Sequence, residues 1–114
     1  MVNYKIPMKF KDGDKGHIMR PEFKGKSTIQ LIQEGYRTAT SRDMSKKYNQ
    51  YDLKIGDIVE FYSDKQKVFV RITKEPYPVK DISKKEWSIL ECWDETVYDK
   101  LNKNYYQYQF ILIP

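Results

Sequence analysis

Gly35-Tyr36-Arg37-Thr38-Ala39-Thr40-Ser41-Arg42, followed after a polar loop by Lys54-Ile55-Gly56-Asp57 and the run Ile58-Val59-Glu60-Phe61-Tyr62, decides the reading of this chain. The first segment reads as a short strand, Tyr36 to Arg42, entered from the end of a helix. Its two arginines, with Thr38, Thr40 and Ser41 between them, place planar guanidinium donors and small hydroxyls within about 17 Å of extended chain. That chemistry suits an anion or the edge of a nucleobase. The plainer account is that hydroxyls and long cations are ordinary on the wet face of a strand, where Thr has good β propensity.

Upstream, Ser27 has the character of a helix N-cap with Gln30 as its capping-box partner. Ile29, Leu31 and Ile32 supply the apolar side, and Gly35 fits the left-handed position that ends the helix. Residues 1–26, interrupted at Gly13, Gly16, Pro21 and Gly25, are expected to be an extended lead-in that adds at most one edge strand. Downstream of Arg42, a lysine-bearing loop leads to the Leu53–Asp57 turn and a strand over 58–62. Ser63-Asp64-Lys65-Gln66 is a hairpin loop, and Lys67 to Thr73 returns antiparallel with Val68, Val70 and Ile72 facing the core.

Pro76 and Pro78 are expected to break the pattern and force a crossover. Ser83 with Glu86 forms a second capping box, opening a helix on which Trp87, Leu90 and Trp93 recur. Asp94 caps a further short helix held by Val97 and Leu101, and Tyr105 to Ile113 is a closing strand. A helix, a strand, a tight hairpin, two helices and a strand make an α+β domain. The simplest arrangement is a small curved or closed antiparallel β-barrel with two or three short helices at one side.

At 114 residues the chain is long enough for one core. Its hydrophobic fraction of 39% is low, but 10 Tyr, 5 Phe and 2 Trp carry the packing, so a folded domain is expected. Lys and Arg outnumber Asp and Glu by 21 to 16, a net charge of +5 that favours polyanionic partners. The lysines are spread from Lys5 to Lys103, which points to a local patch on a folded surface. Cys92 and His17 each occur singly, so neither an intramolecular disulfide nor a metal site is expected, and no cofactor motif is present. Without a signal-peptide core or an apolar run near the ~20 residues of a membrane span, the reading is a soluble, cytoplasmic protein with no membrane partner.

The ordered pattern of Gly35, Arg37, Thr38, Thr40 and Arg42, then Gly56, Asp57, Val59 and Phe61, resembles the ASCH domain of the PUA-like superfold. The resemblance continues through the hairpin, the helix holding Glu91 and the final aromatic strand. It covers residues 27–114 as a single domain and leaves 1–26 outside. It implies a β-barrel with a cleft between barrel and helices, and binding of RNA or a nucleotide. One branch of the family resembles amidohydrolases that remove an acyl group from the exocyclic amine of a modified cytidine with a Lys, a Thr and a Glu. Carried over, those positions are Arg37, Thr40 and Glu91, with Glu86 as second candidate for the carboxylate. Glu91 is favoured because it lies four residues after Trp87, and a carboxylate beside an indole has a raised pKa suited to acid–base work.

Arg37 stands where that branch has lysine. A guanidinium stays protonated, so it polarises a carbonyl or clamps a phosphate but takes no proton from a nucleophile. Positions 37 and 40 also fall on opposite faces of a regular strand and converge only if the chain bends between them. Binding of RNA, single-stranded nucleic acid or a modified nucleoside is therefore placed first, through Arg37, Thr38, Thr40, Ser41, Arg42 and Lys54. Hydrolysis, by an amidohydrolase or a ribonuclease, is the second reading, and a small regulatory protein-interaction module is the third. Tyr105, Tyr106 and Tyr108 as base-stacking residues, Lys24 and Lys26 beside the Ser27 cap, and Cys92 as a nucleophile are weaker candidates. Core packing, solvated lysines and an inert thiol account for them.

Overall fold

The computed structural model describes residues 4–10, 19–50 and 52–114; His17, Gly13 and Gly16 lie outside the described residues. Five strands, β1 (Tyr4–Lys9), β2 (Ala39–Asp43), β3 (Ile58–Tyr62), β4 (Lys67–Pro78) and β5 (Tyr105–Leu112), form one sheet in the order β1-β3-β4-β5-β2. It curls into a half-barrel. Three helices accompany it, α1 (Thr28–Gln33), α2 (Lys84–Glu91) and α3 (Glu95–Tyr98). Among the described residues no helix is long and apolar enough to cross a membrane.

The helix starts follow the sequence closely. Ser27 Oγ accepts from Gln30 N, Ser83 Oγ accepts from Glu86 N, and the Asp94 carboxylate accepts from Thr96 N, each satisfying a backbone donor that the first helical turn leaves open. Gly35 ends α1 at φ +82°, and Gly56 turns into β3 at φ +94°, where an L side chain is strained. In the hairpin between β3 and β4, Ser63 N donates to Gln66 O, and Ser63 Oγ accepts from Lys65 N and Gln66 N.

Four expectations are corrected. The strand set at Tyr36 to Arg42 begins only at Ala39. Tyr36 N and Arg37 N both donate to Leu31 O, at 3.0 and 3.2 Å, and Thr38 N donates to Leu90 O, so the helix end and α2 hold these residues out of the ladder. The sheet is mixed and not wholly antiparallel. The edge strand drawn from the first 26 residues, β1, pairs parallel with β3, as the long connection through α1 and β2 permits.

Pro76 and Pro78 do not break the run but lie within β4. Pairing of β4 to β3 ends at Arg71, and the register against β5 shifts between Ile72 and Lys74 and between Lys74 and Tyr77, which frees these positions from a regular ladder. Trp93 is not on the helix with Trp87, because Cys92 closes α2 in the left-handed region at φ +66°. The buried face of α2 is instead Trp87, Ser88 and Glu91, with Leu90 only half-buried.

Two apolar clusters result. Met8, Phe10, Ile29, Ile32, Val59, Phe61, Val68, Val70, Ile72, Tyr108 and Phe110 fill the concave side of the sheet. Met19, Leu31, Val79, Trp87, Cys92, Trp93, Val97 and Leu101 join the helices to its other part. Residues 4–10 and 19–26 thus belong to the same packed unit as the rest, through β1, Phe10 and Met19. A cavity opens where the two clusters meet.

Candidate functional site

The cavity has a volume of about 250 Å³. Phe10, Trp87, Trp93 and Tyr105 give it aromatic walls, Val97 and Leu101 an aliphatic one, and Lys9, Arg37, Thr40, Ser41, Arg42 and Glu91 its polar lining. It is small beside the ~300–1,000 Å³ of pockets for drug-sized ligands.

Arg37 is 4% exposed and Glu91 1%, so the two charges meet out of water. Arg37 Nη1 donates to Glu91 O at 3.1 Å, Nη2 donates to Thr40 Oγ1 at 3.0 Å, and Nη2 lies 3.7 Å from Glu91 Oε1. The guanidinium is flanked by Trp93, its carbon 5.1 Å from the ring centroid, and by Phe10 at 5.8 Å. Because Arg37 precedes β2, its side chain and that of Thr40 reach one place despite a spacing that a regular strand would put on opposite faces.

The other carboxyl oxygen is held from two sides. Ser41 Oγ donates to Glu91 Oε2 and itself accepts from Trp87 Nε1 at 3.0 Å, while Gln107 Nε2 donates to the same Oε2 at 2.7 Å. Burial pushes the Glu91 carboxyl above its ordinary pKa, opposed by Arg37, Gln107 and Ser41. Desolvation prevails because the arginine contact is a single long approach and not a bidentate pair. Burial likewise pulls Arg37 below its ordinary value, opposed mainly by Glu91, yet a guanidinium keeps its proton. Arg42, half-buried, stacks its guanidinium 4.7 Å from the Phe10 centroid and donates only a long bond, 3.4 Å, to Lys9 O. The Nε atoms of Arg37 and Arg42 are buried without a hydrogen-bond partner among the described residues.

Of the residues singled out in the sequence, Arg37, Thr40, Ser41, Arg42 and Glu91 line this one cavity. Thr38 does not: its N–H and C=O are used by Leu90 O and Phe110 N, and it stitches α2 to β5. Lys54 lies elsewhere, exposed and paired with Asp52 at 3.3 Å, in the turn whose backbone Asp57 fixes through Lys54 N. Glu86 is exposed on the first turn of α2, away from the cavity. Lys26 pairs with Glu34 at 2.5 Å, and Tyr108 is core, its hydroxyl on Met8 Sδ. The Cys92 thiol is buried and pushed up to about 11, mainly by desolvation. Among the described residues no cluster of His, Cys, Asp and Glu could hold a metal.

Sequence reasoning missed Phe10, Gln107 and Tyr77. Gln107 was legible in principle, since Gln107 and Gln109 alternate with aromatics along β5 and fall on one face of a strand whose other residues are tyrosine, phenylalanine, isoleucine and leucine.

No family model matches the sequence, and no curated protein matches it. Solved structures do. The crystal structure of an ASCH domain from Lactobacillus crispatus JV V101 superposes with a TM-score of 0.57 over 92% of this chain and 79% of that one, at 12% identity. This chain has the ASCH-domain fold. A protein of the family DUF984 from Enterococcus faecalis V583 matches with a TM-score of 0.55 at 18% identity, over 74% of this chain, which spans 65% of that protein's length. The α+β, PUA-like architecture expected from the Gly35–Arg42 and Gly56–Phe61 segments is thus the one observed, and the cavity is lined from both sheet and helices.

Proposed function

We propose that this protein binds RNA or another single-stranded nucleic acid by taking one nucleotide into the cavity, its base against Trp87, Trp93 and Tyr105 and its phosphate beside Arg42. The observation that supports the reading is the gathering of Lys9, Arg37 and Arg42 with the rings of Phe10, Trp87, Trp93 and Tyr105 in one cavity wall. Arg42 has no carboxylate at ion-pair distance among the described residues, and its plane is already fixed against Phe10. Stacking on aromatics is sequence-tolerant, and the net charge of +5 assists association.

The test is fluorescence anisotropy of a single-stranded RNA pool at low and moderate salt, with Arg42→Ala as the principal variant. Binding that weakens with salt and is lost in Arg42→Ala is the expected result. Absence of binding at low salt, or binding indifferent to Arg42→Ala, defeats the proposal.

A second reading, hydrolysis of an acylated cytidine, draws on the meeting of Arg37, Thr40 and Glu91 in one cavity. It stands second because Thr40 accepts from a permanently charged Arg37, and among the described residues no base takes the Thr40 proton. If it is right, Thr40→Ala and Glu91→Gln abolish turnover of acylated cytidine in protein that remains folded.

A further inference from the structure

Among the described residues Glu91 is the one carboxylate in the cavity wall, and the side-chain hydrogen bonds at its Oε2 are directed by groups behind them. Trp87 Nε1 can only donate, and it donates to Ser41 Oγ at 3.0 Å, so the Ser41 proton points onward to Glu91 Oε2. From the opposite side, Gln109 Nε2 donates to the Tyr77 hydroxyl at 3.1 Å, and that hydroxyl donates in turn to Gln107 Oε1. With its oxygen taken, Gln107 has only Nε2 for Glu91, and it reaches Oε2 at 2.7 Å. Two donors, each fixed in direction by a further group, therefore converge on Oε2. An O–H at that oxygen would point a proton at theirs.

We propose that Gln107, with Tyr77 behind it, is a positioning residue that holds Glu91 Oε2 as an acceptor and so favours the ionised carboxylate in this wall of the cavity. Oε1 faces Arg37 Nη2 across 3.7 Å, and the Ser41 backbone N–H gives the carboxyl a further donor. The charged and titratable groups around this carboxyl are Arg37, Arg42 and Lys9 in the cavity wall, Cys92 at the end of α2, and Tyr77 from β4, itself near Glu86. Neither Tyr77 nor Gln107 lines the cavity, so both act through Glu91 and not on a ligand.

The inference deepens the reading of this cavity as a ligand site, but its test needs no ligand, so a failure to bind RNA and a failure here are separate outcomes. Carbon-13 NMR of the Glu91 carboxyl is followed against pH in the unliganded full chain. Removing the Gln107 donor with Gln107→Leu is expected to raise the titration midpoint by about one pH unit or more, the equivalent of a hydrogen bond to a charged group. Tyr77→Phe, which keeps Gln107 but frees its amide to turn, raises the midpoint by less. If Gln107→Leu does not fold, Tyr77→Phe decides alone. A midpoint equal to wild type in each folded variant overturns the proposal.

Discussion

Removing the two buried charges one at a time and together gives the sharpest test of the site. Arg37→Met leaves a carboxylate 1% exposed, with Ser41 and Gln107 still donating to it, and Glu91 can respond by taking up a proton. That keeps the cost near the low end of the range for orphaning a buried charge, about 3 kcal/mol. Glu91→Gln is worse, because Arg37 cannot neutralise itself and the new amide must set an NH₂ against Gln107 and Ser41 or against the guanidinium; about 4–5 kcal/mol is expected. The double variant loses the hydrogen bonds but leaves no unpaired charge. Its cost should therefore fall short of the sum by about 3 kcal/mol, the upper end for residues in direct contact.

A domain of this length has a total stability of roughly 6–17 kcal/mol, so the single variants are measurable by urea unfolding, with Trp87 and Trp93 reporting from the cavity itself. The pH dependence adds a sign. Since burial raises the Glu91 carboxyl above its unfolded value of 4.5, folding takes up a proton between the two, and stability falls as pH rises through that window. Glu91→Gln removes that slope. Coupling below about 0.5 kcal/mol, or an unchanged slope in Glu91→Gln, would refute the claim that these two charges are held together by the fold.

Four further outcomes are expected. Gly56→Ala should cost about 1–2 kcal/mol in chemical denaturation although a Cβ there meets nothing within 4 Å, because φ +94° is strained for any L side chain. Cys92, buried with its thiol near 11, should be inert to a thiol reagent at neutral pH in the native protein and react only on unfolding; rapid native labelling contradicts its burial. Two bonds from Thr96 hold the Asp94 carboxyl below its ordinary value, so the stability this cap contributes is present above pH 3.8 and lost as pH falls through the lower folded value. The difference in melting temperature between wild type and Asp94→Ala should shrink over that interval. Arg37→Lys supplies a base that burial can neutralise; with the hydrolytic arrangement otherwise intact it should cleave acylated cytidine faster than wild type, and no cleavage by either protein removes the second reading.

What could be read from the sequence was governed by short-range rules. The caps at Ser27, Ser83 and Asp94, the Gly35 and Gly56 turns and the Ser63 hairpin each depend on residues within four positions, and each is where the spacing put it. Arg37 was misplaced onto a strand because its true position depends on Leu31 O capturing two successive N–H groups and on Leu90 O capturing the next. The parallel pairing of β1, the survival of β4 through Pro76 and Pro78, and the separation of Lys54 from the cavity are likewise set by partners far along the chain. Gln107 escaped notice for a chemical reason. On a strand rich in aromatics a glutamine reads as solvent-facing, and only its own complete burial beside α2 makes it a donor to Glu91.

The same accounting bears on what the cavity can accept. Lys9, Arg37 and Arg42 are the cations of the wall, and among the described residues Glu91 is its only carboxylate, held by burial toward its neutral form. The lining therefore carries at least one net positive charge whether Glu91 is ionised or not, and more when it is protonated. A guest bearing a phosphate or a row of acceptors would complement that charge, whereas a neutral apolar guest would leave it uncompensated. Meanwhile Arg37, by donating to Thr40 Oγ1, withdraws electron density from that hydroxyl. Within the proposal made for this cavity, the contact weighs toward holding a ligand and against cleaving it.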